Sequence, residues 1–241
     1  PVVSVYYNDT LMSFVTATTE TVQMWDANGK LTRTFRNLSG KGVTTMMLDD
    51  RKRKFIVGDF AGNVKVFDYL SGVYMKKCDY KEFGQKAHAG EISKMVYIHK
   101  YKCFISASWD RGITIHDENE ADGCVLLRRI DNAHKSDISA LAYSQHLSMI
   151  VSGCSDGKIK FWDYEFVRSI GVCHGHAGGI NDIVFVGTYP IVASCDSKGL
   201  ICLWGTTGKH KGVCLSRIKN LARDSQHATK NVTKMHAEVE W

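Results

Sequence analysis

HKSDISALAYSQHLSMIVSGCSDGKIKFWD, running from His134 to Asp163, decides the fold, because two other segments copy its spacing. In 88–117, 134–163 and 176–205 a histidine stands 29 residues before the second member of a Trp-Asp-like pair. An apolar residue follows each histidine at the fourth position (Ile92, Ile138, Ile180). A mostly apolar triplet comes at the seventh to ninth: Met95-Val96-Tyr97, Leu141-Ala142-Tyr143 and Ile183-Val184-Phe185. The segment is therefore one copy of a repeat.

Two further copies lack the histidine and keep the frame. Phe14-Val15-Thr16-Ala17 leads into Val22 to Asp26, and Phe55-Ile56-Val57-Gly58 leads into Val64 to Asp68. The closing positions Asp26, Asp68, Asp117, Asp163 and Gly205 are spaced by 42, 49, 46 and 42 residues, around the period of four-stranded propeller blades. Each copy divides into short apolar runs separated by Gly, Asn, Asp and Ser turns, and Lys158-Ile159-Lys160-Phe161 alternates with the period of a strand with one wet face. The expectation is an all-β chain of five complete blades, approximately 1–38, 39–82, 83–131, 132–174 and 175–220. Residues 221–241 then read as a connection and, after His227, the first strand of a sixth blade at Val232 to Met235. Because a blade buries its faces only against neighbours, such an arc is expected to belong to a larger ring of about seven blades, with the rest supplied by a longer parent chain.

At His134, Ser152, Asp156, Trp162 and Asp163 the chain resembles the WD40 repeat family, and the likeness covers nearly all of it. The resemblance implies a buried network in each blade, in which an acceptor-only carboxylate fixes an imidazole, a hydroxyl takes its other nitrogen, and an indole N–H is satisfied. All four types stand at those places only in the fourth copy, as His134, Ser152, Asp156 and Trp162. The third has His88, Ser106 and Asp110 but His116 in place of tryptophan; the fifth has His176, Ser194 and Trp204 but Lys198 in place of the turn aspartate. The third and fifth blades are accordingly expected to be less well tied, and the first two to keep little beyond their apolar frame.

Catalysis has no residues to stand on. The sequence contains no phosphate-binding G-x-x-x-x-G-K-[ST] and no EF-hand loop, and four of its ten histidines belong to the repeat. No catalytic, cofactor-binding or metal-binding residue is expected, and no cofactor. The eight cysteines form no C-x-x-C pair and several sit in apolar runs, as in Lys102-Cys103-Phe104-Ile105, so reduced structural thiols in a cytoplasmic setting are expected. Nothing of 18 or more apolar residues suggests a membrane span.

Interaction surfaces are the remaining carriers of function. The family's topology implies a rim where the turns between second and third strands (Trp109, Ser155, Ser197) meet segments three residues after the histidines (Glu91, Asp137, Gly179). Trp109 is the best candidate anchor, since an indole at a polar turn tip suits an interface. On the opposite rim, Arg51, Lys52, Arg53 and Lys54 with Lys100 and Lys102 form a candidate basic patch. The expected role is a non-catalytic scaffold binding other proteins or peptides in a multi-protein assembly. The alternatives are a reader of acidic, phosphorylated or nucleic-acid ligands through the basic rim, and a structural propeller of axonemal or cytoskeletal kind. A net charge of only +6 over 241 residues, and Tyr101 as the one aromatic beside the patch, argue against nucleic acid. Nuclear and ciliary settings stand open beside the cytoplasmic one.

Overall fold

The structure is a computed structural model that describes residues 1–78, 86–118, 123–219 and 234–235. It contains five antiparallel four-stranded sheets, each made of four strands consecutive in sequence. The first sheet is β1 (Val2–Asn8), β2 (Ser13–Thr18), β3 (Thr21–Asp26) and β4 (Leu31–Arg36); the second is β5 (Val43–Leu48), β6 (Lys54–Asp59), β7 (Val64–Asp68) and β8 (Tyr74–Lys77). The third is β9 (Ile92–Ile98), β10 (Cys103–Ser108), β11 (Ile113–Asp117) and β12 (Val125–Ile130). The fourth is β13 (Ile138–Ser144), β14 (Met149–Cys154), β15 (Ile159–Asp163) and β16 (Ser169–Cys173), and the fifth is β17 (Ile180–Phe185), β18 (Ile191–Asp196), β19 (Leu200–Gly205) and β20 (Cys214–Lys219). Apart from one 3-10 turn at Gly208–His210, no helix interrupts the described residues. The connection at 221–231, with His227, and the sixth-blade positions Val232 and Thr233 lie outside the described residues.

The strands form because side chains two apart share a face, and here both faces of the inner strands are apolar. In β6, Phe55 and Val57 enter a core with Val15, Val22 and Met24 of the first sheet, while Ile56 between them enters a core with Ile92, Met95 and Phe104 of the third. A second strand buried on both sides thus welds three blades into one unit, Pro1–Asp131. The fourth and fifth sheets form the unit Asn132–Trp241, where Val151, Ile159 and Phe161 pack against Ile180, Ile183, Val192 and Trp204. Each such side chain contributes roughly 1.5–3 kcal/mol of burial. Close approach of neighbouring blades requires glycine at equivalent points of β6 and β14: a Cβ on Gly58 would lie 2.9 Å from Ile92 Cγ2, and one on Gly153 would lie 2.6 Å from Ile180 Cγ2. Beside these points Thr44 Oγ1 donates to the Ile92 carbonyl at 2.6 Å, and Ser139 Oγ to that of Ile180.

Fourth strands are edges, and their composition suits water. The side chains of β4 and β20 are largely exposed and carry Arg33, Arg36, Arg217 and Lys219, which discourages strand addition.

The cysteines depart from the expectation of free thiols throughout. Cys78, directly after β8, and Cys124, directly before β12, are joined by a disulfide with an S–S distance of 2.04 Å. The pair links the outer strands of neighbouring blades; Cys103, Cys154, Cys173, Cys195, Cys202 and Cys214 are free. Sequence could not pair residues 46 apart that meet only once two blades have packed.

Candidate functional site

Histidine networks lock the third and fifth blades. In the fifth, Trp204 Nε1 donates to Ser194 Oγ at 2.7 Å, Ser194 meets His176 Nε2 at 2.6 Å, and His176 Nδ1 meets Asp196 Oδ2 at 3.0 Å. Since a carboxylate only accepts, Nδ1 carries the proton and the serine hydroxyl donates to Nε2. Asp196 Oδ1 also accepts the amides of Lys198 and Leu200, so one carboxylate closes the turn and orients the ring. Burial lowers the His176 pKa, opposed by Asp196. Burial also works to raise Asp196, but the Leu200 amide and His176 outweigh it and hold the carboxyl below its usual range.

This corrects the expectation for the fifth blade, which is fully tied despite Lys198. Its carboxylate comes from the first residue of the turn, Asp196, instead of the third. The third blade uses the third residue: Asp110 Oδ2 lies 3.0 Å from His88 Nδ1 and accepts the Ala89 amide, while Oδ1 accepts that of Gly112. His116, in the tryptophan's place, meets the hydroxyls of Thr114 at 2.7 Å and Ser106 at 3.2 Å, and both hydroxyls also reach His88 Nε2. The third blade too is well tied.

The fourth blade, with the full set of residue types, has the incomplete network. Trp162 Nε1 donates to Ser152 Oγ at 2.8 Å and Ser152 meets His134 Nε2 at 2.7 Å, but among the described residues nothing hydrogen-bonds His134 Nδ1. Asp156 faces elsewhere: Oδ1 accepts the Cys154 thiol and the Lys158 amide, and Oδ2 accepts Lys158 Nζ at 2.9 Å. The lysine two residues on outcompetes the neutral ring. Burial, then the Lys160 charge, pushes the His134 pKa down to about 4.

The first two blades keep more than their frame. Trp25 Nε1 donates to Thr16 Oγ1 at 3.0 Å, the same indole–hydroxyl bond. Asp59, which stands where Asp196 does, accepts the amides of Ala61 and Asn63 and the hydroxyl of Ser39.

On the turn rim, each candidate turn residue is brought to its candidate partner by one repeated backbone bond. The amides of Trp109, Ser155 and Ser197 donate to the carbonyls of Glu91, Asp137 and Gly179 at 2.9, 3.0 and 2.9 Å. Trp109 is 50% exposed. Sequence reading missed its counterpart: the Phe60 amide donates to Gly42 O at 3.2 Å, and Phe60 is 48% exposed. Its ring lies over Gly42, where a Cβ would sit 2.9 Å from Phe60 Cδ2. The available signal was spacing, since Phe60 precedes Val64 by the four residues that separate Trp109 from Ile113. Gly62 ties the two turns together: it accepts the His88 amide, and a Cβ there would meet His88 O at 2.1 Å. The second and third blades thus present two aromatic rings on one rim. Beside them, Thr19, Glu20, 37–40, Gly42 and Val43 line a cavity of about 320 Å³ between the first and second blades.

The opposite rim carries mixed charge. Lys52 Nζ lies 2.7 Å from Asp9 and Lys54 Nζ lies 3.1 Å from Glu118, which is buried, and Glu118 also accepts the Tyr97 hydroxyl. Asp49 accepts the amides of Arg53 and Lys54, His99 meets Asp50 at 3.1 Å, and Lys100 lies over the Tyr101 ring. Arg51, Arg53, Lys54 and Lys102 line a cavity of about 190 Å³, but Asp49, Asp50, Glu118 and Tyr97 share its wall. The run of cations read from sequence is therefore half neutralised by partners 40 or more residues away. Among the described residues no group of His, Cys, Asp or Glu is arranged to hold a metal ion. No described helix is long and apolar enough to cross a membrane.

Comparison with known proteins accords with this architecture. The family model described as WD domain, G-beta repeat matches residues 125–163 and 167–205. Each match runs from the fourth strand of one sheet through the third strand of the next. Cilia- and flagella-associated protein 337 B of Tetrahymena thermophila is 22% identical over 63% of this chain and 12% of its own length. The human kinesin-like protein KIF21A is 27% identical over 73% of this chain and 10% of its own, and nuclear distribution protein PAC1 of Fusarium vanettenii is 31% identical over 47% and 30%. The chain spans less than a third of the length of each of these relatives. Residues 125–163 and 167–205 are thus WD40 repeats, and the five four-stranded sheets follow the blade pattern of a WD40 propeller.

Proposed function

We propose that the chain is a non-catalytic docking scaffold that holds other proteins or peptides in an intracellular assembly, and that the aromatic rim of its first unit is the principal contact. WD40 repeats in general serve protein interaction. One observation carries the finer reading: Phe60 and Trp109 stand half-exposed at equivalent turns of neighbouring blades, each pinned through its own amide. Rigid, half-exposed aromatic side chains lose little entropy on binding and are the commonest interface anchors.

Relatives named as cilia- and flagella-associated, kinesin-like and nuclear distribution proteins favour a cytoskeletal assembly over a nucleic-acid one. The partly neutralised basic rim favours the same side, because a phosphate-tracking surface needs unpaired cations.

The test is quantitative co-purification of the full-length parent protein from its own cells. Phe60→Ala with Trp109→Ala is expected to lose the principal partner with an unchanged melting temperature, and Arg51→Ala with Arg53→Ala to retain it. Retention by the first variant and loss by the second would transfer the contact to the basic rim and overturn the reading.

A further inference from the structure

Three thiols converge at the outer junction of the fourth and fifth blades. Cys173, the last residue of β16, and Cys202 in β19 are buried members of one apolar core, and Cys214, the first residue of β20, packs at its margin. Cys214 is the one free cysteine of the described set that is not fully buried. The Cys214 thiol donates to the Ser216 carbonyl at 3.4 Å, and its sulfur shares hydrogen bonds with Cys202 and the Arg217 guanidinium. Burial, reinforced by Cys214, pushes Cys173 and Cys202 up to about 12, so these two stay protonated. Solvent access singles out Cys214 among the described free thiols.

The first unit supplies an independent observation about the same junction. Strand register gives Cys173, opposite Ile159, the place that Cys78 holds opposite Val64, and gives Gly212 the place of Cys124. Between the second and third blades that pair is a disulfide. Between the fourth and fifth, a Cβ on Gly212 would lie 3.9 Å from Cys173 Sγ, and the cysteine stands two residues further on, at 214. The junction of outer strands therefore accommodates an S–S bond in one unit and holds unreacted thiols in the other.

We propose that Cys214 is an oxidation site: its sulfur takes up an oxygen from a hydroperoxide and is then captured by one of the two buried thiols beside it, Cys202 or Cys173. In the first step the Cys214 sulfur attacks the terminal peroxide oxygen. The S–O bond forms, the O–O bond breaks, and the peroxide's other oxygen leaves as water or an alcohol after taking a proton. Sulfur is oxidised by two electrons to the sulfenic acid and the peroxide is reduced. In the second step the neighbouring sulfur attacks, the S–S bond forms, the S–O bond breaks, and the oxygen departs with the thiol proton as water. A Cys214–Cys173 bond ties outer strands of neighbouring blades, as the existing disulfide does in the first unit, and a Cys214–Cys202 bond ties the edge strand to its own sheet.

The experiment exposes the intact purified chain to hydrogen peroxide, alkylates the remaining thiols, and maps peptides by mass spectrometry without reduction. Cys214 is expected to be modified at least about 10-fold faster than the five buried free thiols, because access to the oxidant limits the rate at a buried sulfur. The expected product is a cross-link from Cys214 to Cys202 or Cys173. In Cys214→Ser, a near-isosteric change, Cys173 and Cys202 should remain reduced under the same exposure. Equal reactivity of Cys214 with the buried thiols, oxidation that stops without a cross-link, or a Cys173–Cys202 disulfide in the serine variant would each overturn the proposal.

Discussion

Asp196 and His176 meet at 3.0 Å through two side chains that are both sealed from solvent, although the aspartate occupies a different turn position from the one that serves His88 in the third blade. The turn after a blade's second strand thus offers two places from which a carboxylate can reach the imidazole. Occupancy of either suffices, provided no stronger partner intervenes.

Asp196→Ala should cost about 2–4 kcal/mol, since it leaves His176 Nδ1 and two turn amides without their acceptor. Asp156→Ala should cost less than about 1 kcal/mol, because Asp156 serves an exposed turn and a surface lysine. Chemical denaturation of the two variants checks the ranking; equal losses would contradict the assigned networks.

Ser194→Ala removes the hydroxyl that joins Trp204 Nε1 to His176 Nε2 and is expected to cost about 2–3 kcal/mol. Ser194→Thr should retain most of the stability, as Thr16 fills the equivalent role beside Trp25 in the first blade. Thermal melts of both variants against the parent give the comparison.

Stability should fall on acidification, beginning below about pH 6.5. Burial holds His134 down to about 4 and His116 down to about 3, against 6.5 in an unfolded chain. The unfolded state therefore binds more protons through that window, so the stabilisation is fully present above about 6.5 and is lost progressively as pH falls toward 4. Asp110 acts in the same direction at lower pH: burial raises it, but the bond and charge of His88 outweigh this and hold its carboxyl well below the usual range. Melting temperature measured across pH 4–8 should rise monotonically up to neutrality.

Gly153→Ala should cost about 1–3 kcal/mol by overpacking, as the new methyl would press on Ile180 Cγ2 at 2.6 Å and Ile183 Cδ1 at 2.8 Å. Ile183→Val in the same background removes one of the two clashing groups and should recover part of the loss. An unfolding curve for the double variant no better than the single would place the strain elsewhere.

Much of the frame was legible because apolar spacing survives where polar residues drift: the second and third strands of the first and second blades follow from Phe14 to Asp26 and Phe55 to Asp68 alone. The polar sites were less so, for a physical reason. Residue type at one position does not reveal competition, and Lys158 at 2.9 Å takes Asp156 from His134 although all four expected types are present. Asp196 was overlooked because only the third turn position was compared, though Asp59 stands at the first in the second blade. Phe60 was overlooked because its copy lacks the histidine from which the other rim residues were counted. The charge balance of Arg51 to Lys54 depends on Asp9 and Glu118, which local sequence does not place nearby.

The half-step between matched repeats and sheets bears on how such an array could lengthen or shorten. Each repeat opens with an edge strand for the sheet before it and closes one strand short of completing its own. Excising or duplicating one whole repeat length therefore leaves every remaining sheet with four strands, because the next copy donates the missing edge. The unit of inheritance and the unit of folding are out of phase, and that phase difference makes the copies interchangeable along the chain.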